Sequence, residues 1–127
     1  MTTDLARLET VTARMPHFHA AALERGGEHP ALVLRMEGFF DGEAAHVTLP
    51  VIEALLKSWG GAPRVIVDAE ALEYISSLGI GVLTTARVMA QQRGMSFALE
   101  CPQPAVLNVL ALLGVTSYMD IRSLHEE

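Results

Sequence analysis

The sequence predicts a single α/β domain in which helices pack on a mixed β-sheet. Its length of 127 residues fits one domain, which typically has ~100–150 residues. Half of the residues are hydrophobic and 19% are charged, so the chain can bury a core without disulfides and is not disordered. Strand and helix patterns follow one another in the order β-β-α-β-α-β-α, which favours parallel pairing with right-handed crossovers after an antiparallel start.

The first segments predict a helix followed by a β-hairpin. Residues 4–15 carry apolar side chains at helical spacing, with Asp4 as the N-cap and Pro16 as the stop. Residues 18–24 and 31–37 form two strand-like runs separated by a Gly-Gly pair and a proline, which are typical of turns. The second run alternates between apolar and polar positions, as a strand with one buried face does.

A second helix is predicted within residues 43–59, after a connection at residues 38–42. Its apolar side chains recur on one stripe, which would face the sheet. Pro50 lies inside this segment, and proline in a helix interior costs about 3 kcal/mol or more. Either the helix begins near Thr48, with Pro50 in its first turn, or it is kinked at Pro50.

The second half of the chain continues the alternation of strands and helices. Residues 64–68 are rich in β-branched side chains and predict a buried central strand. A long helical pattern follows residues 74–77 and runs to Arg93. Residues 95–100 then predict a strand and residues 105–113 a helix, and the chain ends in a short strand with a last helical turn.

Composition excludes several classes of function. The net charge of −6, with only nine Lys and Arg residues, gives no basic face for nucleic acid. A single cysteine, Cys101, excludes a disulfide framework and intramolecular dithiol chemistry. Charged residues, prolines or glycines interrupt every apolar run before the ~20 residues of a membrane-spanning helix, and no signal peptide is visible. We therefore expect a cytoplasmic protein that does not insert into membranes.

No residue pattern predicts a metal site, a cofactor or a catalytic centre. Of five histidines only His17 and His19 are close in sequence, and a metal would need two further ligands, so we expect them to be solvated. The nucleophile-elbow and Walker patterns do not occur. Gly79 and Gly81 form half of a dinucleotide fingerprint, but Thr84 stands where its third glycine would lie. We expect a protein that is not an enzyme.

Residues 74–83 combine a strand end, two serines and two glycines at the start of a helix. Ser76 or Ser77 could accept hydrogen bonds from free helix N–H groups, which is worth about 0.5–2 kcal/mol. Gly79 and Gly81 each cost roughly 1 kcal/mol of helix propensity relative to alanine, which suggests close approach of another backbone or of a partner. A hydroxyl at a helix N-terminus is also a favourable place for a phosphate. From the residues alone, the serines are either caps or a regulated phosphate acceptor.

Four motifs lie in a specific order and at specific spacing. They are Gly-Phe-Phe-Asp at residues 38–41, Val-Ile-Val-Asp-Ala-Glu-Ala-Leu-Glu-Tyr-Ile at 65–75, Ser-Ser-Leu-Gly-Ile-Gly-Val-Leu at 76–83, and Pro104-Ala105-Val106 with Leu110 and Gly114. Together they resemble the STAS domain of the anti-sigma factor antagonist family over roughly residues 17–122. The third motif is similar to the family signature Asp-Ser-Ser/Ala-Gly-Leu-Gly-Val-Leu.

The resemblance implies a fold and a domain organisation. The implied sheet is mixed, with four to five strands and the helices packed on one face. Residues 17–127 would form the STAS domain. Residues 1–16 would be an N-terminal extension whose apolar spacing serves a dimer contact or no contact. The sequence predicts no particular oligomeric state.

The resemblance also implies a bacterial regulator of transcription that works through a protein partner. In this family a serine-kinase anti-sigma factor phosphorylates the serine after the signature aspartate. The matching position here is Ser77. The unphosphorylated antagonist binds the kinase and frees the sigma factor, whereas the phosphorylated form lets go, and a phosphatase could reverse the modification. Ser76 replaces the signature aspartate and is the alternate acceptor, and Leu78 replaces a small residue.

The expected partner contact consists of the serine segment and the turn beside it. The predicted contact residues are Asp41, Gly42, Tyr74, Ser76, Ser77, Leu78, Gly79, Ile80 and Gly81. The alternative function is that of a non-phosphorylated STAS accessory module, in a lipid-transport ABC complex or a signalling scaffold.

Overall fold

The computed structural model describes residues 2–125 and contains one five-stranded sheet. The elements are α1 (Thr2–Thr12), β1 (Phe18–Arg25), β2 (Ala31–Phe40), α2 (Gly42–Ser58), β3 (Arg64–Ile75), α3 (Ser77–Gln92), β4 (Ser96–Glu100), α4 (Pro104–Leu112) and β5 (Ile121–Arg122), with a 3-10 turn at Val115–Ser117. The strands lie in the order β1-β2-β3-β4-β5. The β1–β2 pair is antiparallel and the other three pairs are parallel, which confirms the predicted mixed sheet with an opening hairpin.

The main core lies between the helices and one face of the sheet. Each of the four helices contributes to this single buried cluster, for example through Leu8, Leu56, Leu83 and Leu110. Because side chains alternate along a strand, every second residue of β2, such as Leu34, points to the same face. A smaller cluster lies on the opposite face and consists of Ala31, Val33, Ile66 and Ala98. The prediction that the helices pack on one face is therefore confirmed.

Helix α1 packs within the fold. It begins at Thr2, so the predicted N-cap position of Asp4 is wrong. Leu8 is completely buried in the main core. The buried Thr12 hydroxyl accepts the N–H of Ala20 at 3.0 Å, and thus satisfies a backbone group on the outer edge of β1. The apolar spacing of this segment therefore serves the fold itself, whereas a domain boundary at residue 17 stays a prediction.

Strands β2 and β3 both extend further than predicted. Residues 38–40, predicted as a connection, continue β2, and residues 69–75 continue β3. The two extensions pair with each other, since Phe40 is the register partner of Ile75. The register shifts twice along this pair, between Arg35 and Glu37 and between Gly38 and Phe39. The φ of 91° at Gly38 and its close approach to the His17 carbonyl oxygen suit only glycine. Pairing between strands thus lengthens both elements beyond their local sequence signals.

Helix α2 begins at Gly42, so the prediction that it begins near Thr48 is wrong. Asp41 caps it by accepting the N–H of Ala44 at 3.0 Å. Pro50 lies in the helix interior but on the exposed side. The cap and the buried apolar stripe outweigh the cost of the missing backbone hydrogen bond. None of the helices within residues 2–125 is both long enough and apolar enough to cross a membrane.

Candidate functional site

The ends of two neighbouring strands bring the two predicted contact segments together. Phe40 and Ile75 are register partners at the ends of β2 and β3. The turn at Asp41 therefore lies beside Ser76, and each of these residues is the N-cap of the following helix. The starts of α2 and α3 consequently form one continuous site at this edge of the sheet.

Ser76 uses its hydroxyl within the fold. The Ser76 oxygen accepts the N–H of Gly79 at 3.0 Å, and its O–H donates to the carbonyl oxygen of Phe40 at 3.0 Å. The backbone N–H of Ser76 donates to the same carbonyl at 2.9 Å. The hydroxyl thus caps α3 and ties it to β2, so this serine performs the capping role that the residue pattern left open.

Ser77 differs from its neighbour because its hydroxyl is free. It is the first residue of α3 and is exposed to solvent. Within residues 2–125 its side chain makes no hydrogen bond. The N–H groups of a first helical turn lack intrahelical partners and carry a partial positive charge, so an anion at this position would be stabilised.

The two glycines of the serine segment have different surroundings. A Cβ on Gly79 would lie 2.8 Å from the carbonyl oxygen of Phe40, whereas a Cβ on Gly81 would meet nothing within 4 Å. Gly79 therefore allows close packing of α3 on β2, and Gly81 lies on an open surface. Ile80 is buried in the main core. Gly79 and Ile80, which are among the predicted contact residues, are thus buried in the fold, and the partner contact itself stays a prediction.

Three large apolar side chains are exposed around the site. Leu78 is 64% exposed, and Phe39 and Tyr74 are each 45% exposed with their ring centroids 6.0 Å apart. We call these three side chains the apolar rim. Leu78 also contacts the α2 start, since a Cβ on Gly42 would lie 3.1 Å from its Cδ1 atom. The neighbouring rings and the exposed Leu78 side chain offer apolar area of the kind that protein contacts bury.

Sequence reasoning named Tyr74 and Leu78 but missed Phe39. Residues 38–42 were predicted as a connection, in which side chains have no regular direction. A signal was present in the Phe-Phe pair: once β2 continues to Phe40, adjacent side chains point to opposite faces. Phe40 is completely buried, and Phe39 must therefore be exposed.

The predicted histidine pair lies at the surface. His17 and His19 are exposed, and His19 Nδ1 lies 3.6 Å from Glu37 Oε1. Residues 2–125 contain no group of three or more His, Cys, Asp and Glu side chains placed to hold a metal ion.

Comparisons with known proteins relate the chain to one family of domains. A family model described as the STAS domain matches residues 21–127. A search of curated proteins finds no match.

Several solved structures share the fold. The anti-sigma factor antagonist SpoIIAA in its unphosphorylated form has a TM-score of 0.64 and 21% identity, over 80% of this chain and 87% of that chain. The phosphorylated Bacillus SpoIIAA has a TM-score of 0.58 and 20% identity, over 80% of this chain and 90% of that chain. An anti-sigma factor antagonist from Mycobacterium paratuberculosis has a TM-score of 0.64 and 18% identity, over 81% and 85% of the two chains. Because the family model matches residues 21–127, the chain belongs to the STAS domain family.

Proposed function

We propose that this protein is an anti-sigma factor antagonist that binds a serine-kinase anti-sigma factor and is switched off by phosphorylation of Ser77. The free hydroxyl of Ser77, exposed at the start of α3, is the observation that carries the proposal. Membership in the STAS family supports it, as do similar folds of an antagonist solved in unphosphorylated and phosphorylated forms. We further propose that it acts in the bacterial cytoplasm as a binding protein and not as an enzyme.

The different hydrogen bonding of the two serine side chains supports Ser77 as the phosphate acceptor. Phosphorylation of Ser76 would remove the hydroxyl proton that it donates to Phe40 and would attach a phosphate to the oxygen that accepts the N–H of Gly79. A phosphate on Ser77 breaks no hydrogen bond within residues 2–125. The replacement of the family's aspartate by Ser76 is also compatible with the fold, since serine and aspartate are both good N-caps.

The surroundings of Ser77 explain how a phosphate would release the partner. The apolar rim offers contact area, and burying it against another protein would favour binding. A phosphate adds about −1.5 to −2 charge at pH 7 and would have to be desolvated in that interface. Leaving such a charge unpaired costs several kcal/mol, and about 3 kcal/mol corresponds to a roughly hundredfold loss of affinity.

Calorimetric titration against the candidate kinase tests this switch. We expect unphosphorylated protein and Ser77→Ala to bind with similar affinity, and the phosphorylated protein to bind about a hundredfold more weakly. Incubation with kinase and ATP should add one phosphate, which Ser77→Ala abolishes. Ser58→Ala is the matched control, because Ser58 is also exposed but lies at the far end of α2.

Two results would contradict the proposal in different ways. A phosphate on Ser76 would refute the residue assignment and keep the regulatory function. Equal affinities of all three forms would refute the switch and favour the alternative, an accessory module of a transport complex or a signalling scaffold.

A further inference from the structure

The sheet face opposite the helices carries two buried carboxylates side by side. Asp68 on β3 and Glu100 on β4 are register partners, and they are 6% and 0% exposed. Two adjacent buried negative charges are unfavourable unless cations and hydrogen bonds compensate them. The compensating groups therefore determine what this face of the molecule can do.

The cations come from three different parts of the chain. Arg25 of β1 holds Glu100 through two hydrogen bonds of 3.0 and 3.2 Å. Arg35 of β2 lies with its Nε atom 3.5 Å from Asp68 Oδ2. His125, beyond β5, places its Nε2 atom 3.1 Å from Asp68 Oδ1. Asp68 thus has one permanent cation and one that depends on pH.

Among the described residues, His125 joins residues 123–125 to the sheet. Ser123 and Leu124 are exposed, and Leu124 is 78% exposed, so apolar packing holds them little. Within residues 2–125, the hydrogen bond that holds this segment joins His125 to Asp68. In the described part of the chain, a titratable side chain therefore supplies the hydrogen bond that joins this segment to the sheet.

The segment also lines a cleft of about 540 Å³ next to the end of β4 and the middle of β3. Glu70, Cys101 and Leu107 line this cleft together with Leu124 and His125 of the segment. Burial raises the pKa of the Cys101 thiol, and the nearby carboxylates, Asp68 first among them, raise it further. Movement of residues 123–125 would open this cleft and uncover Asp68.

We propose that residues 123–125 form a pH-responsive clasp, which is docked on Asp68 while the His125 imidazole is protonated and is released when the imidazole loses its proton. Histidine changes its charge between about pH 5 and 8. The attraction to the buried carboxylate exists only for the protonated ring, whereas a neutral ring retains at most a hydrogen bond.

Other charged and polar groups also face Asp68. They are Arg35 from β2, Glu100 from β4 and the backbone N–H of Glu70, which donates to Oδ1 at 3.1 Å. Burial raises the pKa of Asp68, but the hydrogen bonds from His125 and Glu70 and the positive charges of His125 and Arg35 outweigh burial and hold it below its ordinary value. Because the pKa of Asp68 lies below its ordinary value, Asp68 stays ionised over the pH range in which a histidine changes its charge.

NMR on the full chain tests the clasp between pH 5 and 8.5. The 15N heteronuclear NOE of the Leu124 amide reports order of the segment, and the His125 ring proton shift reports protonation. We expect the equilibrium constant for docking to fall about two- to fivefold with rising pH, as for an ion pair with one exposed partner, and this fall should have the same midpoint as the ring titration. His125→Gln should give a low NOE that does not change with pH. His29→Gln, which alters an exposed histidine in the β1–β2 turn, should follow the wild-type curve.

Two outcomes would overturn the clasp. One is wild-type order at Leu124 that stays constant from pH 5 to 8.5. The other is a His125→Gln protein that retains the wild-type pH curve. Asp68→Asn should also release the segment at every pH, and His125→Gln keeps the proposal testable if Asp68→Asn fails to fold.

Discussion

The starts of helices α2 and α3 lie side by side and are built alike, yet they differ in charge. Each follows a strand end and has a side-chain cap of 3.0 Å, from Asp41 to Ala44 in α2 and from Ser76 to Gly79 in α3. Helix α2 has a carboxylate as its cap and Glu43 in its first turn, whereas α3 has a neutral cap and no acidic residue in its first turn. The two carboxylates at the α2 start thus offset the positive end of its helix dipole. The α3 start has no such charge, so its partial positive charge remains available to an anion.

This contrast gives the replacement of the family's aspartate by Ser76 a physical meaning. The capping role is kept, because a hydroxyl oxygen takes the place of a carboxylate oxygen as the hydrogen-bond acceptor. What is missing is a permanent negative charge at the α3 start. A phosphate on Ser77 would place a reversible negative charge at this helix start.

The largest effect is expected from the glycines, which test how tightly the α3 start is held. Gly79→Ala should lower the free energy of unfolding by about 1–3 kcal/mol, because the new Cβ would lie 2.8 Å from the Phe40 carbonyl oxygen. Gly81→Ala is the matched control and should raise it by up to about 1 kcal/mol, since its Cβ meets nothing. Urea unfolding measures both. Equal effects of the two changes would show that the close approach of Gly79 to β2 is unimportant.

Removal of each cap compares the two helix starts directly. Asp41→Ala and Ser76→Ala should each cost about 0.5–2 kcal/mol, because each leaves a first-turn N–H without its acceptor. Asp41→Asn keeps an acceptor oxygen and should lose only the charge contribution, about 0.3–1 kcal/mol. Chemical denaturation at low and high salt separates the loss of the hydrogen bond from the loss of the charge. If Ser76→Ala and the wild type have the same free energy of unfolding, the Ser76 cap does not contribute to stability.

A carboxylate at the α3 start should make it resemble the α2 start. Ser76→Asp is expected to raise the free energy of unfolding by about 0.3–1 kcal/mol at low ionic strength, because the charge complements the helix dipole. This gain should shrink in 1 M salt, where the Debye length is about 3 Å. Thermal unfolding at both salt concentrations measures it. A gain that is independent of salt would point to packing instead of charge.

The smallest effect is expected for the stability of the phosphorylated protein. At physiological ionic strength, a phosphate on the exposed Ser77 should change the free energy of unfolding by no more than about 0.5 kcal/mol, because solvent and salt screen its interaction with the helix dipole. Calorimetric unfolding of the modified and unmodified forms gives the comparison. A large destabilisation would mean that phosphorylation acts by disturbing the fold, and not by placing a charge in the partner interface.

The sequence alone determined the parts of this protein that depend on local signals. The order of strands and helices, the opening hairpin and the position of the two serines at a helix start follow from periodicity, turn residues and caps. These signals act between residues that are close along the chain, and the mixed sheet follows from their order. The resemblance to the STAS family also rested on short motifs in sequence order.

Only the tertiary structure decided how these elements meet. The lengths of β2 and β3 depend on their mutual pairing, and the burial of Leu8 depends on the packing of α1 against the sheet. The same packing gives two neighbouring serines different roles. The Ser76 hydroxyl is hydrogen-bonded to the carbonyl oxygen of Phe40, which is distant in sequence, whereas the Ser77 hydroxyl makes no hydrogen bond within residues 2–125. These contacts join residues far apart in sequence, such as His125 and Asp68, and no local pattern of residues specifies which of them will come within hydrogen-bonding distance.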